Sequence, residues 1–204
     1  MTTMKKIAIV LFNEVEVLDF AGPFEVFSVT GRRAIGQPLD VFTIAEHSRI
    51  AARNNLTITP TFTFHNHPTP DVFLIPGGGG YHSDGTPFGS RREMHNPVML
   101  NWIRSHAEKA ELILSVCTGA LILARTGLLD GLEATTHFLA VNTLRELAPQ
   151  TRVAPEKRFT DNGRIITSAG VSAGIDMAFH VVEKLQGKEV ALETASYMQY
   201  DYWK

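Results

Sequence analysis

Three short apolar runs without alternation, at 7–12 (IAIVLF), 71–75 (DVFLI) and 111–116 (ELILSV), limit what this chain can fold into more than any other feature. A strand with one face in water alternates apolar and polar residues. An unbroken apolar run therefore belongs to a strand covered on both faces, which is the usual state of a parallel sheet. Helical spacing follows each run: at 19–29, with Pro23 expected in the first turn, at 97–110, and after 117 to near Gly127. A further strand is predicted at 39–45, and the alternation at 56–64 predicts an antiparallel excursion. A hairpin is expected across 158–167, where Asp161-Asn162-Gly163 supplies the turn, and two helices at 175–185 and 190–200. Alternating strands and helices of these lengths predict an α/β fold with a mostly parallel sheet, helices on both faces and a site at the carboxyl ends of the strands.

At 204 residues, with neither linker nor repeat, residues 1–204 are expected to form one domain. A net charge of -2, with Arg91-Arg92 as the one dense basic patch, argues against a nucleic-acid partner. The single cysteine excludes an internal disulfide and suits a reducing compartment, so a cytoplasmic location is expected. No segment approaches the roughly 20 apolar residues that span a bilayer, so no membrane partner is expected. Lys5-Lys6 before the first apolar run imitates a secretory signal, but Asn13, Glu14 and Glu16 end the run at once.

That one cysteine, Cys117, lies where the third apolar run gives way to Thr118-Gly119-Ala120. A strand ending in a tight turn that opens a helix projects its middle residue out of the backbone, the geometry of a nucleophile elbow. Helix-start amides favour thiolate, so the Cys117 pKa is expected below its usual value of roughly 8.5, with Thr118 supplying a capping hydroxyl. A buried cysteine packing as a small hydrophobe is the alternative, which the position disfavours. After DVFLI, Pro76 is followed by Gly77, Gly78, Gly79 and Gly80, which leave backbone N–H groups uncovered. They form either an oxyanion hole or a flexible loop. They do not form a nucleotide site, because the run lacks a following Lys-Ser or Lys-Thr and the G-x-G-x-x-G order. Asp19 is either a helix N-cap or, in a pocket of low polarity, a carboxyl that exchanges protons with a thiol. His137, at an expected strand end, is either structural or within reach of the cleft. His65 and His67 straddle Asn66 in an expected loop, and His82 and His95 flank a Gly-rich stretch, so all four are weaker candidates. Without a cysteine cluster or an H-E-x-x-H helix, neither a metal nor another cofactor is expected.

The motifs LDFAGPFEVF, LIPGGGG, SVCTGA, ATTHF and TSAGVSAGIDMAFHVV, in this order from Ile7 to about Tyr200, resemble the ThiJ/PfpI superfamily, which shares the class I glutamine amidotransferase-like fold. The resemblance implies a flavodoxin-like three-layer sandwich. It also implies that Cys117 is the nucleophile, Asp19 its acidic partner, and the amides near Gly78, Gly79 and Thr118 an anion-binding pocket, with His137 the histidine near the cysteine. Within the superfamily the motifs are similar to those of isonitrile hydratases and of the sensor domains that precede a helix-turn-helix in some transcription regulators. Ser115 stands where glutamine amidotransferases have a glycine, and no downstream H-x-E completes their triad. Thr118 stands where the protease-like members place a histidine, and Asp19 where glyoxalase-like members have glutamate. These departures point to a small-molecule substrate and hydration of an isonitrile, with a non-enzymatic ligand or redox sensor as the alternative. The sequence ends at Lys204 without a helix-turn-helix, so a fused regulator is not expected. A homodimer is expected from the resemblance, and less strongly from the aromatic ending Tyr197, Tyr200, Tyr202 and Trp203.

Overall fold

The computed structural model describes residues 4–201. Seven strands form its main sheet: β1 (Lys6–Leu11), β2 (Asp40–Ala45), β3 (Phe62–Thr63), β4 (Val72–Ile75), β5 (Leu112–Val116), β6 (Phe159–Asp161) and β7 (Ile165–Ser168). Their order across the sheet is β6-β7-β5-β4-β1-β2-β3, and every neighbouring pair is parallel except the hairpin β6–β7. The three unbroken apolar runs thus occupy adjacent central strands, where each residue of β4 and β5 is buried.

Among the described residues seven α-helices accompany the sheet: α1 (Val17–Val29), α2 (Ser90–Glu93), α3 (Pro97–Ala107), α4 (Gly119–Ala124), α5 (Val141–Leu147), α6 (Ala173–Gln186) and α7 (Lys188–Tyr197). Helices α1, α6 and α7 pack together, and α6 meets the sheet where Gly174 lies against Val116 of β5 and Pro23 of α1. Phe73 of β4 is in register with Ile113, next to Leu114, so its side chain leaves the face opposite to that of Val116. There it meets the edge of Trp102 from α3, with ring centroids 5.3 Å apart, so the fold has three layers. Helix α3 starts where the sequence marks it. Asn96 accepts hydrogen bonds from the amides of Val98 and Met99 while Pro97 fills the first position. The fold is the expected flavodoxin-like α/β sandwich.

Two local expectations change. Of the excursion at 56–64, only Thr57–Ile58 pairs antiparallel, with Ile50–Ala51, whereas Phe62–Thr63 joins the main sheet parallel to β2. Pro60 lies between the two pieces and cannot donate to a ladder, which ends the first pairing. Pro23 lies in the second turn of α1 because the helix begins at Val17, two residues before Asp19.

Candidate active site

Strand β5 ends at Val116, and Cys117 takes the left-handed conformation with φ +56° before α4 begins at Gly119. A left-handed non-glycine residue costs on the order of 1–2 kcal/mol, so the surrounding contacts must hold it there. Its N–H lies 3.1 Å from the carbonyls of both Ser168 and Ala169, and its own carbonyl accepts from Thr136 Oγ1 at 2.8 Å. Glycine is required at 119, because a Cβ there would lie 2.1 Å from the carbonyl oxygen of Ile75. The elbow therefore wedges between the ends of β4 and β7.

Asp19 is fully buried, and its bond leads away from its own helix: Oδ2 accepts from the Gly77 amide at 3.0 Å. The N-cap position belongs to Glu16, which makes no side-chain cap bond, so Asp19 does not serve as a cap. Oδ1 has no hydrogen-bond partner among the described residues, and the carboxyl is electrostatically coupled to the Cys117 thiol and to Glu16. Burial raises the Asp19 pKa to about 7, against the opposing pull of the Gly77 amide and the thiol.

Burial also pushes the Cys117 thiol up, to about 12, and the neighbouring Asp19 charge adds to the rise. The expected lowering is therefore overturned. The amides of Val171 and Thr118 do favour thiolate, but a side chain only 5% exposed beside a carboxyl loses more by desolvation and repulsion than they return. Helix α4, six residues long, adds little dipole. Val171 is itself left-handed, with φ +46°, a rare conformation for a β-branched residue, so the site is closed by two strained backbones.

Thr118 precedes α4 without capping it. Its Oγ1 instead accepts from the Gly78 amide at 3.0 Å and lies 2.8 Å from Ser90 Oγ, which donates to the Gly78 carbonyl at 2.6 Å. The Gly77 and Gly78 amides, expected to be uncovered, are thus held by Asp19 and Thr118. The amides that favour the Cys117 thiolate belong to Thr118 and Val171.

A cleft of about 160 Å³ opens over the elbow. Cys117, Thr118, Gly78, Gly79 and His137 all line it, while Asp19 lies buried outside its lining. His137 does not bond the thiol among the described residues. Its Nδ1 accepts from the Leu139 amide at 3.3 Å, and its ring lies against Gly170. Burial and Arg91 lower its pKa, so the neutral ring predominates at neutral pH. Sequence reasoning missed Glu16, Arg53, Arg91, Leu139 and Val171, which complete the lining. Arg91 was visible only as half of a basic pair, and nothing about a valine signals a left-handed turn. His67 accepts from Trp102 Nε1 at 2.9 Å, a packing role. No group of three or more His, Cys, Asp or Glu side chains is placed to hold a metal among the described residues. Nor is any helix among them long and apolar enough to cross a membrane.

The isonitrile hydratase of Pseudomonas putida is 32% identical over 188 residues, which is 91% of this chain and 74% of that enzyme. The HTH-type transcriptional regulator GbdR of Pseudomonas aeruginosa is 28% identical over 153 residues, 75% of this chain but only 39% of the regulator. The crystal structure of a ThiJ/PfpI family protein from Pseudomonas syringae superposes with a TM-score of 0.83 at 27% identity, covering 98% of this chain and 76% of that one. Drosophila melanogaster DJ-1beta shares the fold at a TM-score of 0.80 and 20% identity, over 98% of this chain and all of the other. The profile of the DJ-1/PfpI family matches residues 5–184, and the chain belongs to that family.

Proposed function

We propose that the protein hydrates small isonitriles to N-substituted formamides with Cys117 as nucleophile and Asp19 as its proton-exchange partner. One observation carries the reading: a fully buried carboxyl, its pKa raised by burial to about 7, electrostatically coupled to a thiol on a strained elbow. That pKa suits a group that must both take and give a proton near neutrality. The similarity to the P. putida isonitrile hydratase supports this chemistry.

In the first step the Asp19 carboxylate takes the thiol proton as Sγ bonds to the isonitrile carbon. Asp19 returns that proton to the same carbon, giving the thioimidate R–N=CH–S–Cys. Water then adds to the carbon, with Asp19 accepting its proton and passing it to the nitrogen. The resulting R–NH–CH(OH)–S–Cys loses its hydroxyl proton to Asp19 as the C–S bond breaks. R–NH–CHO leaves, and Asp19 reprotonates the departing thiolate, which restores the starting pair. The amides of Thr118 and Val171 stabilise the sulfur while it is negative. His137 and Gly79 border the substrate without a step of their own.

A second reading, a ligand or redox sensor, draws on the similarity of three-quarters of the chain to a transcription regulator. Turnover separates the two. Sustained formamide release from a simple isonitrile, abolished in Cys117→Ala, supports the enzyme; binding or thiol oxidation without turnover supports the sensor.

We also propose a homodimer with its contact near the cleft, where Phe138 and Leu139 are 73% and 74% exposed. Tyr200 instead folds back, stacking on Phe179 and donating to Asp176, while Tyr202 and Trp203 lie outside the described residues.

A further inference from the structure

Arg91 and Arg92 are neighbours in sequence with different fates. Arg92 is neutralised: Nη1 lies 2.9 Å from Glu14, Nη2 lies 2.8 Å from Glu93, and Nη2 also donates to the Asn13 carbonyl at 3.2 Å. Arg91 has no carboxylate within ion-pair distance among the described residues. Its one hydrogen bond there runs from Nη1 to Ser90 Oγ at 3.2 Å, so most of its five N–H donors are uncommitted to protein. It is nevertheless half-buried in the wall of the cleft that holds Cys117.

We infer that Arg91 is an anion subsite beside the nucleophile and that the substrate carries a carboxylate held there. The other charges of the cleft do not cancel Arg91. Glu16 faces Arg53 at 3.9 Å, the Asp19 carboxyl is engaged by the Gly77 amide, and His137 Nδ1 is engaged by the Leu139 amide. Tyr81, Cys117 and His137 are the side chains electrostatically coupled to Arg91, and none is a carboxylate. An unpaired guanidinium partly withdrawn from water is costly, and a bidentate carboxylate is the partner that its planar fork fits. The cleft is small, about 160 Å³, so it suits a compact carboxylate. The identity of its reactive group, an isonitrile, rests on the hydratase reading; the subsite does not.

Iodoacetate and iodoacetamide test the subsite directly, since both alkylate a thiol by displacing iodide, are similar in size and differ by one negative charge. Their rates on Cys117 are compared at one fixed pH, low salt and in the intact protein, with 2-mercaptoethanol as the uncharged reference thiol. The expected result is an iodoacetate-to-iodoacetamide ratio at least about tenfold above the reference, falling to the reference in Arg91→Gln and largely kept in Arg91→Lys. The ratio should also drop in wild type as salt is raised, a readout that needs no variant to fold. A wild-type ratio equal to the reference, or one unchanged in a folded Arg91→Gln, overturns the subsite, as does a ratio that collapses in Arg53→Gln instead. Turnover of isocyanoacetate against its methyl ester then addresses the reactive group. With the alkylation preference intact, hydration of neither compound retires the hydratase reading and leaves the subsite standing; faster hydration of the ester than of the acid overturns the carboxylate assignment.

Discussion

Replacing Asp19 by asparagine should make the protein more stable near neutral pH, even as it removes the proposed proton carrier. The folded carboxyl keeps its proton up to about 7, whereas in the unfolded chain it loses it near 3.8. Between those values the folded state binds more protons, so stability falls as pH rises. The displacement corresponds to about 4 kcal/mol at about 1.4 kcal/mol per pKa unit. Asparagine preserves an oxygen to accept from Gly77 but puts an N–H2 where Oδ1 is buried without a partner, and a poorly satisfied buried donor costs about 1–3 kcal/mol. The net expectation is a gain of about 1–3 kcal/mol above pH 7. In acid, where both proteins are uncharged at this position, the gain should vanish and leave only the cost of the amide. Urea unfolding of wild type and Asp19→Asn, side by side from about pH 4 to pH 8, measures this, because titrations elsewhere cancel in the difference. A difference that stays constant across that range would refute the claim that burial holds the Asp19 proton.

Hydration should rise with pH through a midpoint near 7 as Asp19 ionises, and iodoacetamide modification of Cys117 should show no thiolate plateau below about pH 10; an activity midpoint near 4, or a plateau near neutrality, contradicts the coupled pair. Gly119→Ala should lower unfolding stability by at least about 2 kcal/mol, since the new methyl meets the Ile75 carbonyl and neither backbone can yield; a loss within about 0.5 kcal/mol in urea would show the elbow to be pliable. Thr118→Val should cost about 1–3 kcal/mol by stranding the Gly78 amide, and unfolding at the wild-type midpoint would mean that water replaces the hydroxyl. Light scattering at low micromolar concentration should give twice the mass of one chain, and a monomer mass would reject the dimer.

The sheet was legible because its signals are local. A central parallel strand is covered on both faces and so reads as a near-continuous apolar run, and β1, β4 and β5 do, broken only by Lys6 at the start of β1 and Ser115 in β5. The elbow was legible for a related reason: the switch from apolar run to Cys-Thr-Gly is written in consecutive residues, and the glycine is sterically obligatory. The thiol pKa was not legible. It depends on how deeply the elbow is buried and on Asp19 being brought against it from α1, and neither is encoded near position 117. Thr118 was misread for the same reason, because its hydroxyl chose the Gly78 amide over its own helix. The edge of the sheet was misjudged because alternation at 56–64 says nothing about which partner each half will find on either side of Pro60.

Strand β5 lies inside the sheet, with β4 on one side and β7 on the other, and both neighbours contribute their ends to the elbow. Asp19, Gly77, Cys117 and Val171 come from segments spread along most of the chain, each following a different strand of the sheet. Contacts this distant in sequence close only after large loops have been ordered, which makes them slow to form in refolding. No contiguous fragment shorter than 19–171 contains the thiol, its carboxyl and the amides that face them. Recovery of the Asp19–Cys117 coupling after dilution from denaturant therefore marks completion of the central sheet, and helix formation measured by circular dichroism should run ahead of it.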